Sequence, residues 1–165
     1  MKPIERIKLG LRIFRSFLTN EKKTGSSRCL KVKLHRQWTN FSCTAAVAQM
    51  VCHYYGIKLT HVKAIKLTKC LPDGASLPFV ARMLRQEYGL TIKSLKTKAQ
   101  VHAALKRGEP VITNDSVSYS NNHAVLLVGE TPKGLWIADP AVCEVYWRHE
   151  NQVMAGADEF IAVSA

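Results

Sequence analysis

Residues 37–56 read Gln-Trp-Thr-Asn-Phe-Ser-Cys-Thr-Ala-Ala-Val-Ala-Gln-Met-Val-Cys-His-Tyr-Tyr-Gly. A polar loop ends at Ser42, and an Ala-rich segment without Pro or internal Gly follows it as far as Gly56. Apolar side chains recur in this segment at helical spacing, and Gly56 stands where a left-handed residue would end a helix. The stretch therefore predicts a helix that begins at about Cys43.

Cys43 would then lie at the N-terminus of this helix. The unpaired backbone amides and the helix dipole at that end favour a thiolate over a thiol. A structural role is the common alternative for a cysteine at a helix start, so the position alone is a weak signal. Cys43 becomes a candidate nucleophile only if the rest of the chain supplies a base.

The composition indicates a single domain of 165 residues, of which 47% are hydrophobic. No run of about eighteen apolar residues is present, and charged residues interrupt the N-terminal apolar positions, so we expect neither a membrane span nor a signal peptide. The five cysteines show no Cys-x-x-Cys or zinc spacing. We therefore expect reduced thiols, no metal, no cofactor and a cytoplasmic location, with non-classical secretion as an effector left open.

The net charge of +12 is concentrated in the N-terminal arm, because residues 1–36 hold eleven Lys and Arg against two acids. Residues 1–28 are predicted to form a basic amphipathic helix followed by a polar linker. The helix would pack on the domain, or dock on an acidic partner or an anionic membrane surface. Nucleic-acid binding is not indicated, because no recognised motif is present and no aromatic residues interleave with the charges.

The remaining pattern places helices first and strands later. Helices are predicted after Thr60, after Ser76 and near residues 98–107 and 149–154, and the predicted strands are 30–34, 91–96, 110–113, 123–129, 135–138, 143–147 and 160–163. This order favours an α+β domain in which the helix of Cys43 packs on an antiparallel sheet.

Three further residues complete a possible thiol site. His123 begins one apolar strand and Asp139 ends the next, and a turn at residues 131–134 would bring the two side by side. We expect Asp139 to accept the Nδ1 proton of His123, which leaves Nε2 for the sulfur of Cys43. Gln37, six residues before Cys43, could join the Cys43 backbone amide in stabilising an oxyanion.

These residues resemble the C39 family of papain-like cysteine peptidases, which are bacteriocin-processing or double-glycine leader peptidases usually found at the N-termini of peptide-exporting ABC transporters. The likeness lies in Gln37, in Cys43 with its helix to Gly56, and in the runs 123–128 and 136–140. It implies a papain-like fold over residues 29–165. It also implies that Cys43 is the nucleophile, His123 the general base and acid, Asp139 the orienting acid and Gln37 the oxyanion donor. The substrate would be a peptide or protein, with leader-type cleavage after small residues.

The sequence departs from this family at Thr44, where its members usually have Gly. We expect the branched side chain of Thr44 to narrow the cleft or alter the substrate. No transporter segment follows, so we expect a stand-alone peptidase. Two alternatives remain open: a glutamine deamidase or transglutaminase-type effector that modifies a partner protein, and a C39-like module that binds peptides without turnover.

Overall fold

The computed structural model describes residues 28–72, 74–116 and 123–165. The predicted basic helix and linker of residues 1–28 lie outside the described residues, apart from Arg28.

The described chain alternates short helices with strands. The helices are α1 (Cys43–Tyr54), α2 (His61–Thr68), α3 (Leu77–Tyr88), α4 (Lys98–Lys106) and α5 (Glu150–Ala155). The strands are β1 (Arg28–Cys29), β2 (Thr91–Leu95), β3 (Val111–Asp115), β4 (His123–Thr131), β5 (Gly134–Asp139), β6 (Glu144–His149) and β7 (Phe160–Ser164). Apart from the first strand, the predicted elements are present with their ends within about two residues of those expected.

The sheet is antiparallel throughout, in the order β2-β7-β3-β4-β5-β6, with β1 beside the far end of β4. Its two faces follow the period-2 alternation of the strands. In β4, Leu126 and Val128 pack in the core that α1, α2 and α3 share. Val125 and Leu127 face the core shared with α4 and α5. The α+β prediction with an antiparallel sheet is therefore confirmed.

The strand predicted at residues 30–34 is wrong: of residues 28–36, only Arg28 and Cys29 form a strand, and Leu30 adds one hydrogen bond from its amide to the carbonyl of Val128. The reason is that β3 already occupies this edge of β4 as far as Leu127, so the incoming chain can pair only beyond it, at Gly129 and Glu130. After that the chain leaves the sheet. Its alternating residues 30, 32 and 34 still pack against the core of α1.

Helix α1 is the central helix of the domain. Its first ten residues, Cys43 to Cys52, are all buried, and Gly56 takes a left-handed φ of 74° just beyond its end. Such a φ carries no penalty for glycine, which explains why the helix ends there. Within residues 28–72, 74–116 and 123–165, no helix has the length and apolar character that a membrane span requires.

Candidate active site

Cys43 is the first residue of α1 and is only 7% exposed. Ser42 precedes it but does not cap the helix; its Oγ accepts hydrogen bonds from the amides of Trp38 and Thr39, both at 3.0 Å. The first-turn amides of α1 therefore remain available to other acceptors. The backbone amides of Thr44 and Ala124 both interact with the sulfur of Cys43.

His123 and Asp139 are hydrogen-bonded at the edge of the sheet where β4 begins and β5 ends. Nε2 of His123 lies 2.8 Å from Oδ1 of Asp139, and the imidazole also interacts with the thiol of Cys43, which lowers the pKa of the thiol and raises the pKa of His123. The structure thus joins the three residues that the sequence had singled out. The carboxylate is nearly inaccessible, since Asp139 is 1% exposed.

The predicted use of the two imidazole nitrogens is wrong. Asp139 binds Nε2, which leaves Nδ1 for the sulfur of Cys43. The cause is the register of the hairpin: Leu126 lies opposite Ala138, so Asp139 comes opposite Val125, two residues along from His123. Such diagonal neighbours are about 7–8 Å apart at Cα, a span that the far ring nitrogen bridges more readily than the near one.

Two further donors fix the carboxylate of Asp139. The backbone amide of Ala141 donates to Oδ1 at 2.8 Å, and the hydroxyl of Tyr146 donates to Oδ2 at 3.2 Å. Each carboxylate oxygen of Asp139 therefore accepts a hydrogen bond from one of these donors. The two bonds fix the orientation in which the carboxylate accepts the hydrogen bond of His123.

The electrostatics of the site favour a thiolate–imidazolium pair. Burial works against charge on both groups, but their mutual hydrogen bond and the bond to Asp139 outweigh it for His123, whose pKa rises to about 9. Burial likewise opposes a thiolate at Cys43, yet the hydrogen bonds from His123, Ala124 and Thr44 and the imidazolium charge hold its pKa below the ordinary value. The contrast is clear at Cys52, where burial raises the thiol pKa to about 12.

Gln37 lies in the loop that leads to Cys43. Its backbone amide donates to the carbonyl of Pro140 at 3.0 Å, which ties the loop to the residue after Asp139. Arg36 strengthens this attachment by donating to two carbonyls of the same turn, those of Ala141 and Val142. The Oε1 atom of Gln37 is buried and has no hydrogen-bond partner among the described residues.

A match in sequence decides the family. The Peptidase_C39 like family model matches residues 29–157. The chain belongs to this family. No curated protein matches the sequence.

Solved C39 structures resemble the domain in fold. A double glycine motif protease from an AMS/PCAT transporter, in complex with its leader peptide, is 24% identical with a TM-score of 0.66, covering 82% of this chain and 91% of its own. The peptidase domain of Streptococcus ComA, a bifunctional ABC transporter involved in a quorum-sensing pathway, is 19% identical with a TM-score of 0.68, covering 80% and 96%. A C39-like peptidase from Bacillus anthracis is 14% identical with a TM-score of 0.65, covering 86% and 98%. At these identities the likeness shows the fold, which is that of the C39 peptidase domains.

Thr44 is the residue at which the chain departs from the C39 pattern. Its side chain is buried and does not line the cleft, contrary to expectation. Thr44 is 3% exposed, and its Oγ1 lies 3.6 Å from the Sγ of Cys70, which in turn donates to the carbonyl of Phe41 at 2.5 Å. The side chain points into the junction of α1 with the end of α2, because that face of the helix is covered. Thr44 therefore supports the loop before Cys43 from the inside.

Three polar residues near the C39 site escaped the sequence analysis: Tyr146, Arg148 and Asp115. Arg148 donates to Asp115 at 2.7 Å and to the hydroxyl of Tyr146 at 3.3 Å. The alternation that places Tyr146 and Arg148 on one face of β6 is visible in the sequence. Only the pairing of β6 with β5 and of β3 with β4 shows that these two residues and Asp115 lie on the same face as His123 and Asp139. No motif marks that pairing in the sequence.

Proposed function

We propose that this C39-like protein is a cysteine peptidase that hydrolyses peptide bonds through a thioester intermediate on Cys43. The observation that carries this proposal is the hydrogen bond between Asp139 and His123, whose imidazole in turn interacts with Cys43 at the start of a buried helix. Such a series supplies a nucleophile, a base and a group that orients the base.

The first half of the reaction acylates Cys43. The thiolate attacks the carbonyl carbon of the scissile peptide bond, and the oxyanion that forms is stabilised by the backbone amide of Cys43 and the side chain of Gln37. The imidazolium of His123 then gives its proton to the departing amine. The C–N bond breaks, and the acyl group remains on sulfur as a thioester.

The second half restores the enzyme. His123 is now neutral and accepts a proton from a water molecule as the water attacks the thioester. The C–S bond breaks, the carboxylic acid product leaves, and the thiolate–imidazolium pair forms again. Throughout both halves Asp139 keeps Nε2 of His123 protonated, so Nδ1 is the nitrogen that exchanges the proton.

The substrate we propose is a peptide of the leader type, cut after small residues. This specificity is that of the C39 family, and the structure of the AMS/PCAT transporter protease holds a leader peptide. Trp38 follows Gln37 in the loop before Cys43 and is 65% exposed. Its indole lies against the ring of His61, with ring centroids 4.5 Å apart, and the exposed part of the indole offers apolar surface to a side chain of a bound peptide.

The test is mass spectrometry of synthetic leader-type peptides with paired small residues, incubated with wild type, Cys43→Ala, His123→Ala and, as a matched control, Cys29→Ala. Cys29 is an exposed free thiol. We expect wild type and Cys29→Ala to cut the peptide bond, and the other two variants to leave it intact. Equal product from Cys43→Ala would contradict the proposal.

The same experiment separates the two alternatives. A deamidase would convert a Gln side chain to Glu without cutting the backbone, which appears as a small mass increase in the intact peptide. A binding module would retain the peptide on Cys43→Ala and on wild type alike and give no product.

A further inference from the structure

A second carboxylate lies beside His123. Asp115 is the last residue of β3 and pairs directly with His123 across the two strands. Directly opposite residues of an antiparallel pair have Cβ atoms about 4.5–5.5 Å apart, so their side chains share one face. Asp115 and His123 are both buried, at 4% and 6% exposure. The imidazole of His123 therefore has two carboxylates nearby, Asp115 and Asp139, and it is hydrogen-bonded to Asp139.

Arg148 links these two carboxylates. Its Nη1 atom donates to Oδ2 of Asp115 at 2.7 Å, and its Nη2 atom donates to the hydroxyl of Tyr146 at 3.3 Å. That hydroxyl donates in turn to Oδ2 of Asp139. The guanidinium also lies 5.3 Å from the centre of the Tyr146 ring, within the range of a cation–π contact. The fork geometry of arginine suits this double role, since one arm binds each neighbour.

We propose that Arg148 is a positioning residue of the site, which holds Asp115 away from His123 and, through Tyr146, holds Asp139 against it. The inference rests on the proposed function only in assigning His123 to catalysis. Arg148 thus determines which of two carboxylates orients the imidazole.

The consequence of losing Arg148 follows from charge. A buried carboxylate without its cation is strongly unfavourable, so it binds the nearest available donor. The imidazole of His123, directly opposite Asp115 on the adjacent strand, is one such donor, and Asp115 would then compete with Asp139 for it. An imidazole bound to Asp115 turns its ring out of the line from Asp139 to Cys43. The thiolate then loses its hydrogen-bonded cation, and a displacement of this kind costs reactivity.

The experiment measures the alkylation rate of Cys43 by iodoacetamide across the acidic and neutral pH range, resolved by peptide mass spectrometry. Among the described residues, the groups that face His123 in this profile are Cys43, Asp139 and Asp115, with Tyr146 and Arg148 behind them. We expect Arg148→Met to react at least about tenfold more slowly than wild type near neutral pH. The double variant Asp115→Asn/Arg148→Met should return to within about threefold of wild type, because the competing carboxylate is gone. Arg107→Met, which removes an exposed arginine from its carboxylate Glu109, is the matched control and should react like wild type.

Two results would overturn the inference. One is a wild-type alkylation profile in folded Arg148→Met. The other is a double variant as slow as the single one, which would place the effect in packing rather than in the freed carboxylate. If Arg148→Met does not fold, Arg148→Lys decides. It keeps a cation beside Asp115 but loses the arm that binds Tyr146, so it should react more slowly than wild type by less than about tenfold, and a loss of about tenfold or more contradicts the inference.

Alkylation needs no substrate, so the outcome is independent of the proposed function. If the protein cuts no peptide but the alkylation rate falls in Arg148→Met and recovers in the double variant, the inference about Arg148 holds and the proposed peptidase activity does not. If the protein cuts peptides but the alkylation rate neither falls in the single variant nor recovers in the double one, the proposed activity holds and the inference about Arg148 does not.

Discussion

Nε2 of His123 donates to Oδ1 of Asp139 over 2.8 Å, and this bond turns Nδ1 of the same ring toward Cys43. The bond is possible because the hairpin of β4 and β5 places the two residues on one face, two positions apart along the strands. It also accounts for the electrostatics of the site, because the pKa of His123 rises to about 9 despite burial. The candidate chemistry depends on this relationship more than on any single residue.

The pH dependence of the reaction should follow from this pair. Activity rises as Cys43 loses its proton, at a pH lowered by its hydrogen bonds, and falls as the imidazolium of His123 loses its proton near pH 9. In Asp139→Asn the acceptor charge that raises the pKa of His123 is gone, so the descending limb should move to lower pH. The measurement is kcat/KM against pH for both proteins. Coincident descending limbs would show that Asp139 does not set the proton affinity of His123.

Gln37→Glu tests the oxyanion donor with little change of shape. Replacing the amide by a carboxylate removes the donor and adds charge where the oxyanion forms. We expect kcat to fall by about 10²–10³ with a small change in KM. The alkylation rate of Cys43 should fall by much less than kcat, since Gln37 is not part of the ion pair and its new charge acts on the thiolate only through space. If kcat is unchanged, the oxyanion is stabilised by the backbone alone.

Ser42 holds the loop that carries Gln37. Its Oγ accepts from the amides of Trp38 and Thr39, and the residue is fully buried. Ser42→Ala leaves both amides without this acceptor and should cost about 1–3 kcal/mol of unfolding free energy. It should also lower kcat, because the position of Gln37 depends on the loop.

Thr60→Ala is the matched control for Ser42→Ala. The side chain of Thr60 accepts from the amide of Lys63 at the start of α2, so its loss should cost about 1 kcal/mol. The side-chain hydrogen bond of Thr60 goes to Lys63 of α2 and not to the loop of Gln37, so kcat should change less than in Ser42→Ala. Denaturant unfolding and steady-state kinetics of both variants decide between a local and a general effect. Equal loss of kcat in the two would assign it to stability.

Thr44→Gly restores the residue usual in the C39 family. Because Thr44 is buried against Cys70, its removal should leave the choice of peptide unchanged. It should lower the free energy of unfolding by about 1–2 kcal/mol, from the backbone freedom of glycine in a helix and the lost contact. Cleavage profiles on a peptide mixture and denaturant unfolding measure the two effects. A changed cleavage profile would show that the side chain of Thr44 does affect the choice of peptide.

Much of the site follows from local sequence rules. A helix start next to Cys43, a strand that begins at His123 and another that ends at Asp139 all have local signals, and the short turn between the strands predicts their pairing. The order of ring nitrogens did not follow, because it depends on a register that differs by two residues from a side-by-side arrangement. The orientation of Thr44 did not follow either, since the packing of α2 on α1 decides which face of the helix is covered.

The support of the site was the least predictable part. Asp115, Tyr146 and Arg148 come together only because β3 and β6 flank the hairpin of β4 and β5 in the sheet. Strand order is a property of the whole chain, and the alternation within one strand carries no record of it. The short length of β1 was unpredictable for the same reason, because it depends on where the pairing of β3 with β4 ends.

The most direct test of the central claim compares the thiols of the intact protein. Limited alkylation with iodoacetamide at neutral pH, followed by peptide mass spectrometry, gives the rate at each of the five cysteines in wild type and His123→Ala. We expect Cys43, although buried, to react about tenfold or more faster than the exposed Cys29, and this advantage to vanish in His123→Ala. A Cys43 that reacts no faster than Cys29, or one that keeps its rate without His123, would contradict the thiolate–imidazolium pair on which the account rests.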